Sequence, residues 1–178
     1  MGIIRKDFKY KIIKSFLNEN EIELFKNYTI FQHRKNNTNF DFRQMNGDTF
    51  FNGDSLTQSL LLSKKNIIEK ATGLELWPTY SFWRMYTFSS FLKTHTDRKS
   101  CEISATVMVG SDGTPWPIYM EDNPILMEPG DACIYLGCEI NHGRDEFNGD
   151  WHSQIFLHYV DKNGPCAEFK FDKQKFIY

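Results

Sequence analysis

From Leu76 onward the chain breaks into short β-prone runs separated by turn clusters, and this pattern constrains the fold more than any other feature. The runs are Tyr80–Tyr86, Glu102–Val109, Trp116–Met120, Ala132–Leu136, His152–Val160 and Glu168–Phe171. Between them lie Ser111-Asp112-Gly113, Pro129-Gly130-Asp131, Asn148-Gly149-Asp150 and Lys162-Asn163-Gly164-Pro165, all rich in residues that favour tight turns. Many short strands at regular spacing predict a sandwich or a jelly roll.

The first 75 residues read differently. Asn18 stands three residues before Glu21 in a capping-box arrangement, and Ile22, Phe25 and Thr29 follow at helical spacing. A second helix is predicted over Ser55–Thr72, with Leu56, Leu60, Ile67 and Ala71 on one face and Gly73 as its stop. The expected fold class is therefore mostly β with flanking helices (α+β), the helices packing outside the barrel. One domain over 1–178 is expected, with 1–75 as helical support and 76–178 as the jelly-roll core. The polar segment from Gln32 to Phe51 is long enough to act as a lid.

Composition excludes several function classes. Sixteen Phe, eight Tyr and four Trp are far too many for a disordered chain. A net charge of −2 and the lack of a basic–aromatic stripe argue against a nucleic-acid partner. The longest apolar runs, such as Leu60–Leu62, are too short to span a bilayer, and the first residues carry no export signal, so a cytoplasmic protein with no membrane partner is expected. The cysteines, Cys101, Cys133, Cys138 and Cys166, form no CxxC pair, which makes a zinc ribbon an unsuitable reading.

Histidine is scarce, and four of the five lie in the second half: His95, His142, His152 and His158, with His33 left over beside a Lys/Asn-rich stretch. His95-Thr96-Asp97 brings an imidazole and a carboxylate to the same side of a strand. His142 follows the turn and strand from Glu128 to Leu136. Two His and one carboxylate on one face of a small barrel make the facial triad of non-haem Fe(II) oxygenases, which leaves coordination positions open.

From about Tyr80 to Val160 the sequence resembles the 2-oxoglutarate/Fe(II)-dependent dioxygenases, in particular the prolyl-4-hydroxylase-like double-stranded β-helix sub-group. The matching pieces are Trp83-Arg84-Met85-Tyr86, His95-Thr96-Asp97, Pro129-Gly130-Asp131 with its strand, His142, and the run from His152 to Asp161. The resemblance implies a jelly-roll barrel and Fe(II) on His95, Asp97 and His142. It also implies 2-oxoglutarate as co-substrate, O2, possible use of ascorbate as reductant, and hydroxylation with release of succinate and CO2. Its substrate would be a peptide, with a mild preference for a prolyl residue, or a small molecule.

The sequence departs from the family at one position. The family places a basic residue nine or ten positions after the second His ligand, to pair with the far carboxylate of 2-oxoglutarate; here His152 stands there. To hold that carboxylate, an imidazole must be protonated or act as a neutral donor; either the pocket is weaker than with a bidentate guanidinium, or another cation supplies the charge. Arg84 and Tyr86, on one face of a strand, are alternatives for that role, with Gln154 beside His152; structural pairing for Arg84 and core packing for Tyr86 compete with it. His158 reads as a pocket wall or a satisfied core histidine. Arg98 and Arg144 are candidates for the mouth of the iron site, facing an acidic substrate, or else brace it by pairing with Glu102, Asp145 or Glu146. Two rival functions stay open: a catalytically inactive metal-binding recognition module, and a cupin-type metalloenzyme that does not use 2-oxoglutarate.

Overall fold

The structure is a computed structural model that describes residues 8–35 and 48–173. Most of the segment expected as a lid lies outside those residues. At its two ends, Gln32 to Lys35 are helical and Thr49 to Phe51 are in a strand.

Among the described residues, ten strands form two antiparallel sheets. They are β1 (Tyr10–Ile13), β2 (Thr49–Asn52), β3 (Leu76–Thr87), β4 (Leu92–His95), β5 (Ile103–Ser111), β6 (Ile118–Met120), β7 (Asn123–Ile125), β8 (Ala132–Leu136), β9 (His142–Arg144) and β10 (Trp151–Asp161). The large sheet runs β1-β8-β5-β10-β3-β2, and the small one β4-β9-β6-β7. The two helices are α1 (Glu19–Lys35) and α2 (Ser55–Thr72).

The side-chain alternation of the central strands determines what each face does. On β10, Ser153, Ile155, Leu157 and Tyr159 face the helices: Ser153 bonds Thr29 on α1 at 3.1 Å, and the Tyr159 hydroxyl donates to the Leu61 carbonyl on α2 at 2.6 Å. Trp83 and Met85 on β3 join them, with Trp83 stacked on Phe51 at 5.3 Å. His152, Gln154, Phe156 and His158 of β10 and Tyr80, Phe82, Arg84 and Tyr86 of β3 point the other way, into the barrel. Much of the aliphatic core thus lies between the large sheet and the helices, while polar and aromatic groups of β3 and β10 face the barrel interior.

Both expected helices are present. Asn18 and Glu21 make the reciprocal capping bonds, each 2.9 Å, and Glu21 also pairs with Lys64 of α2 at 2.8 Å. Helix α2 has the expected bounds; Gly73 ends it with φ +75°, a left-handed conformation that glycine adopts without a Cβ penalty. Its buried stripe differs from the expected one. Leu60, Leu61, Lys64 and Ile68 face the sheet, and Ile67 is 37% exposed.

Three strand expectations need correction. The first 75 residues also hold β1 and β2, four residues each, whose pairing is supplied by β8 and β3 rather than by any strong pattern of their own. The third run narrows to Ile118–Met120. Glu168–Phe171 is not a strand: Ala167–Lys173 is a 3-10 turn that leaves helical geometry at Lys170, Phe171 and Asp172. The large sheet already has β1 and β2 on its edges, and this segment instead packs Phe171 edge-on against Trp77 at 5.9 Å.

The start of α2 rests on one side chain. Asp54 Oδ1 accepts from the backbone N–H groups of Leu56 and Thr57, both at 3.1 Å, which satisfies donors that have no partner within the helix. Asp54→Ala should lower the unfolding free energy by about 1 kcal/mol, read from the urea midpoint at constant slope. An unchanged midpoint would show that the cap does not hold the helix.

Candidate metal and co-substrate site

His95 ends β4 and His142 opens β9, and the ladder sets the two directly opposite each other. Their rings lie 4.5 Å apart. Asp97 lies just beyond β4 rather than within it, so strand alternation alone does not aim it. Its backbone N–H instead donates to the Gly137 carbonyl at 2.7 Å. Gly137 has no Cβ for a reason: one placed there would overlap the Cys101 carbonyl and approach Asp97 Oδ2 to 2.6 Å.

Asp97 Oδ1 is 3.6 Å from Nε2 of both His95 and His142, and the three ligand atoms lie within 4.8 Å of one another. These separations exceed direct hydrogen bonds but suit a shared metal ion. Each imidazole is oriented by its other nitrogen. His95 Nδ1 donates to the Lys93 carbonyl at 2.7 Å, and His142 Nδ1 donates to the Ile140 carbonyl at 2.9 Å. Each ring, when neutral, therefore turns its Nε2 lone pair toward Asp97 Oδ1, as a metal requires; when protonated, the same nitrogen faces the carboxylate as a donor. Burial alone would raise the Asp97 carboxyl, but the imidazoles of His142 and His95 outweigh it and hold the group well below the usual range. The adjacent carboxylate in turn raises His95.

The triad opens into a cavity of about 360 Å³. Tyr80, Phe82, Arg84 and Tyr86 of β3 wall one side, Phe156 and His158 of β10 another, and Arg98 stands at the mouth. Tyr135 and Tyr80 were not singled out from the sequence. Tyr80 shares the period-2 stripe of Arg84 and Tyr86, which was a usable signal; Tyr135, 3.4 Å from His142 Nε2, is reached only through the fold.

The remaining sequence candidates separate. Arg84 is buried in the cavity wall, 3.9 Å from Asp48, with its guanidinium over the rings of Phe50, Phe82 and Tyr86. Arg98 is exposed; it makes a bidentate pair with Asp172, both contacts 2.9 Å, and covers the Tyr80 ring. Its partner among the described residues is thus Asp172 rather than Glu102.

Arg144 is not at the mouth. Two residues along β9 from His142 it points inward, 5% exposed, with its guanidinium 4.5 Å from the Trp116 ring centre. Its Nη1 donates to the Trp116 carbonyl, while its Nη2 is sealed and unpartnered. No carboxylate among the described residues pairs with it, neither Asp145 nor Glu146. Burial lowers its pKa to about 10.

His152 and Gln154 are not in the cavity wall. The Gln154 amide oxygen accepts from Thr106 at 3.2 Å, so its NH2 group donates to His152 Nε2 at 2.9 Å. That leaves Nδ1 of His152 as a buried N–H without an acceptor. Burial drives this histidine well below its ordinary pKa, so it is neutral, edge-on to Trp116 at 5.2 Å. Trp116 therefore lies against both Arg144 and His152, and Tyr86 separates that layer from the cavity, its ring 4.9 Å from Trp116.

Burial also pushes His158 down from 6.5 to about 4. Its folded pKa lies below the unfolded one, so its contribution to stability is complete above pH 6.5 and is lost as the pH falls toward 4. The raised His95 acts in the opposite sense. Comparing wild type with His158→Phe isolates the first effect. Their difference in unfolding free energy should shrink by about 2 kcal/mol between pH 7.5 and pH 5; a constant difference would mean that His158 titrates normally.

No family model matches the sequence, and no curated protein matches it by sequence. Solved structures do match by fold. A prolyl-4-hydroxylase from Pseudomonas putida superposes with a TM-score of 0.67 at 14% identity, covering 87% of this chain and 94% of that one. HygX from Streptomyces hygroscopicus, with nickel and 2-oxoglutarate bound, gives 0.69 at 10% identity, with 88% and 84% covered. The viral collagen prolyl hydroxylase vCPH from Paramecium Bursaria Chlorella virus-1, in complex with 2-oxoglutarate, gives 0.59 at 15% identity, with 89% and 98% covered. With the two antiparallel sheets and the placement of its helices, the chain has the double-stranded β-helix fold of the 2-oxoglutarate/Fe(II) oxygenases.

Proposed function

We propose that this protein is a 2-oxoglutarate- and Fe(II)-dependent hydroxylase acting on a peptide or a small molecule. The observation that carries the reading is the pair of imidazoles, each tied through Nδ1 and aimed through Nε2 at one oxygen of Asp97. That donor set on one face of a barrel suits iron with positions left open. With iron and 2-oxoglutarate bound, O2 would be the four-electron oxidant: 2-oxoglutarate would give two electrons as it is decarboxylated to succinate and CO2, and the substrate two as a C–H bond becomes C–OH.

The protein's own residues then have defined tasks. His95, Asp97 and His142 hold the metal. The far carboxylate of 2-oxoglutarate goes to Arg144, assisted by Tyr86, which stands between the cavity and the guanidinium. A buried guanidinium with an unpartnered Nη2 and no anion is costly unless a ligand supplies one. The unsatisfied Nδ1–H of His152 offers a further donor in the same layer. Arg84 is the weaker anchor because Asp48 already compensates its charge. The aromatic walls exclude water around the reacting centre. Tyr80 and Arg98 frame the entrance through which the substrate passes.

Aerobic incubation with Fe(II), ascorbate and 2-oxoglutarate should yield succinate, and His95→Ala should abolish it. Calorimetry with Mn(II) replacing iron separates the residues' roles. Arg144→Met should weaken 2-oxoglutarate binding about 100-fold, as expected for loss of a charge-assisted pair, and leave Mn(II) affinity unchanged. Metal binding with no 2-oxoglutarate binding in the wild type would favour a recognition module instead. Metal-dependent turnover that ignores 2-oxoglutarate would favour a cupin-type enzyme.

A further inference from the structure

We infer that His158 is a positioning residue for the metal carboxylate: through Ser104 it fixes the second oxygen of Asp97, and this holds its ring in the tautomer that offers a bare Nε2 to the cavity. The inference rests on the reading of Asp97 as a metal ligand.

Ser104 Oγ is the junction. It lies 2.9 Å from His158 Nδ1, 3.1 Å from Asp97 Oδ2 and 3.1 Å from the Cys101 carbonyl. A hydroxyl has one proton to give. A carboxylate oxygen only accepts, and a bond to an anion is about twice as strong as one between neutral groups, so the proton goes to Oδ2. Ser104 Oγ must then accept from His158, which makes Nδ1 the protonated nitrogen. The backbone of Gly137 closes the remaining side of Oδ2, with an added Cβ there meeting Ser104 Oγ at 2.8 Å. Ser104 is thus the side chain placed to hold that oxygen.

His158 is suited to this task. It is 5% exposed, its ring is 4.5 Å from that of Tyr80, and its burial keeps it neutral. Its Nε2 makes no hydrogen bond among the described residues, yet it is not one of the sealed, unpartnered atoms, and the residue lines the cavity. A lone pair in a wall otherwise made by Tyr80, Phe82 and Phe156 selects substrates that bring an N–H or O–H donor close to the reacting carbon.

The tautomer is read directly from long-range proton–nitrogen correlations of the ¹⁵N-labelled, metal-free protein, the signals of His158 being identified by their loss in His158→Gln. A protonated Nδ1 and a bare Nε2 between pH 6 and 8 are expected. A protonated Nε2 would overturn the inference. Mn(II) binding followed by electron paramagnetic resonance gives the second readout. Ser104→Ala and His158→Phe should each weaken Mn(II) by tenfold or more. The double variant should bind no worse than Ser104→Ala, because His158 acts through Ser104. Ser104→Thr keeps the hydroxyl and should retain the wild-type affinity, which separates loss of the bond from loss of the fold. Unchanged Mn(II) affinity in both single variants would sink the inference while leaving the metal site intact. Failure of the wild type to bind Mn(II) would instead sink the metal reading, and the positioning role with it.

Discussion

The interaction on which the rest of the site depends is the one between the Asp97 carboxylate and the imidazoles of His95 and His142. An ionised carboxylate that is largely removed from water requires compensation. Here no lysine or arginine among the described residues provides it: Oδ2 takes the Ser104 hydroxyl, and Oδ1 faces the two imidazoles at 3.6 Å, which compensate it as N–H donors when protonated and leave that task to a cation when neutral. Backbone carbonyls fix both imidazoles, and the Gly137 carbonyl fixes the Asp97 backbone. The two imidazoles are therefore preset by main-chain atoms, and the Asp97 carboxylate by the Ser104 side chain as well. A divalent cation entering this arrangement meets lone pairs already aimed at it.

The barrel can offer such a site because its two faces have separate duties. Alternate residues of β3, β5 and β10 bury Trp83, Val107, Ile155 and Leu157 against α1 and α2, and that side carries the hydrophobic stabilisation. The opposite residues of the same strands are Tyr86, Thr106, Gln154 and His158, which would be costly in an aliphatic core. They are tolerated because each polar atom finds a partner or faces the cavity, as Gln154 does between Thr106 and His152. Two of the buried donors without a partner, Nη2 of Arg144 and Nδ1 of His152, flank the same Trp116 ring. Unpaired buried donors gathered in one layer are better explained as a binding feature than as a packing fault.

Much of this was legible in the sequence wherever the signal was local. The capping box at Asn18, the stop at Gly73, the turns around Gly113 and Gly130 and the His95-Thr96-Asp97 triplet each encode their geometry within a few residues. Signals failed where geometry came from a distant partner. Strands β1 and β2 exist because β8 and β3 offer open edges. Ser104 gains its role only when β5 and β10 bring it beside His158. Arg144 was assigned to the mouth because it follows His142 by two residues. The same spacing in a strand means that it shares the inward face of His142, and β9 carries it into the barrel. The proximity was readable, whereas the direction was not until β9 was seen to continue past the metal ligand.

Charge gives the last step. Arg84 and Asp48 cancel one another within the wall, and His152 and His158 are held neutral by burial. Among the described residues, what remains inside the barrel is one negative charge on Asp97 and one positive charge on Arg144, on different elements and not paired with each other. A single buried cation without an anion is poorly tolerated. Under the reading proposed above, a doubly charged cation at the triad and a doubly charged anion reaching from it to Arg144 would together add no net charge, and each buried group would gain the partner it lacks. Either ligand alone would leave an imbalance. The same argument sets Arg84 apart from Arg144 although both flank Tyr86: a guanidinium already facing Asp48 has less to gain from a second carboxylate than one that faces only neutral rings and hydroxyls.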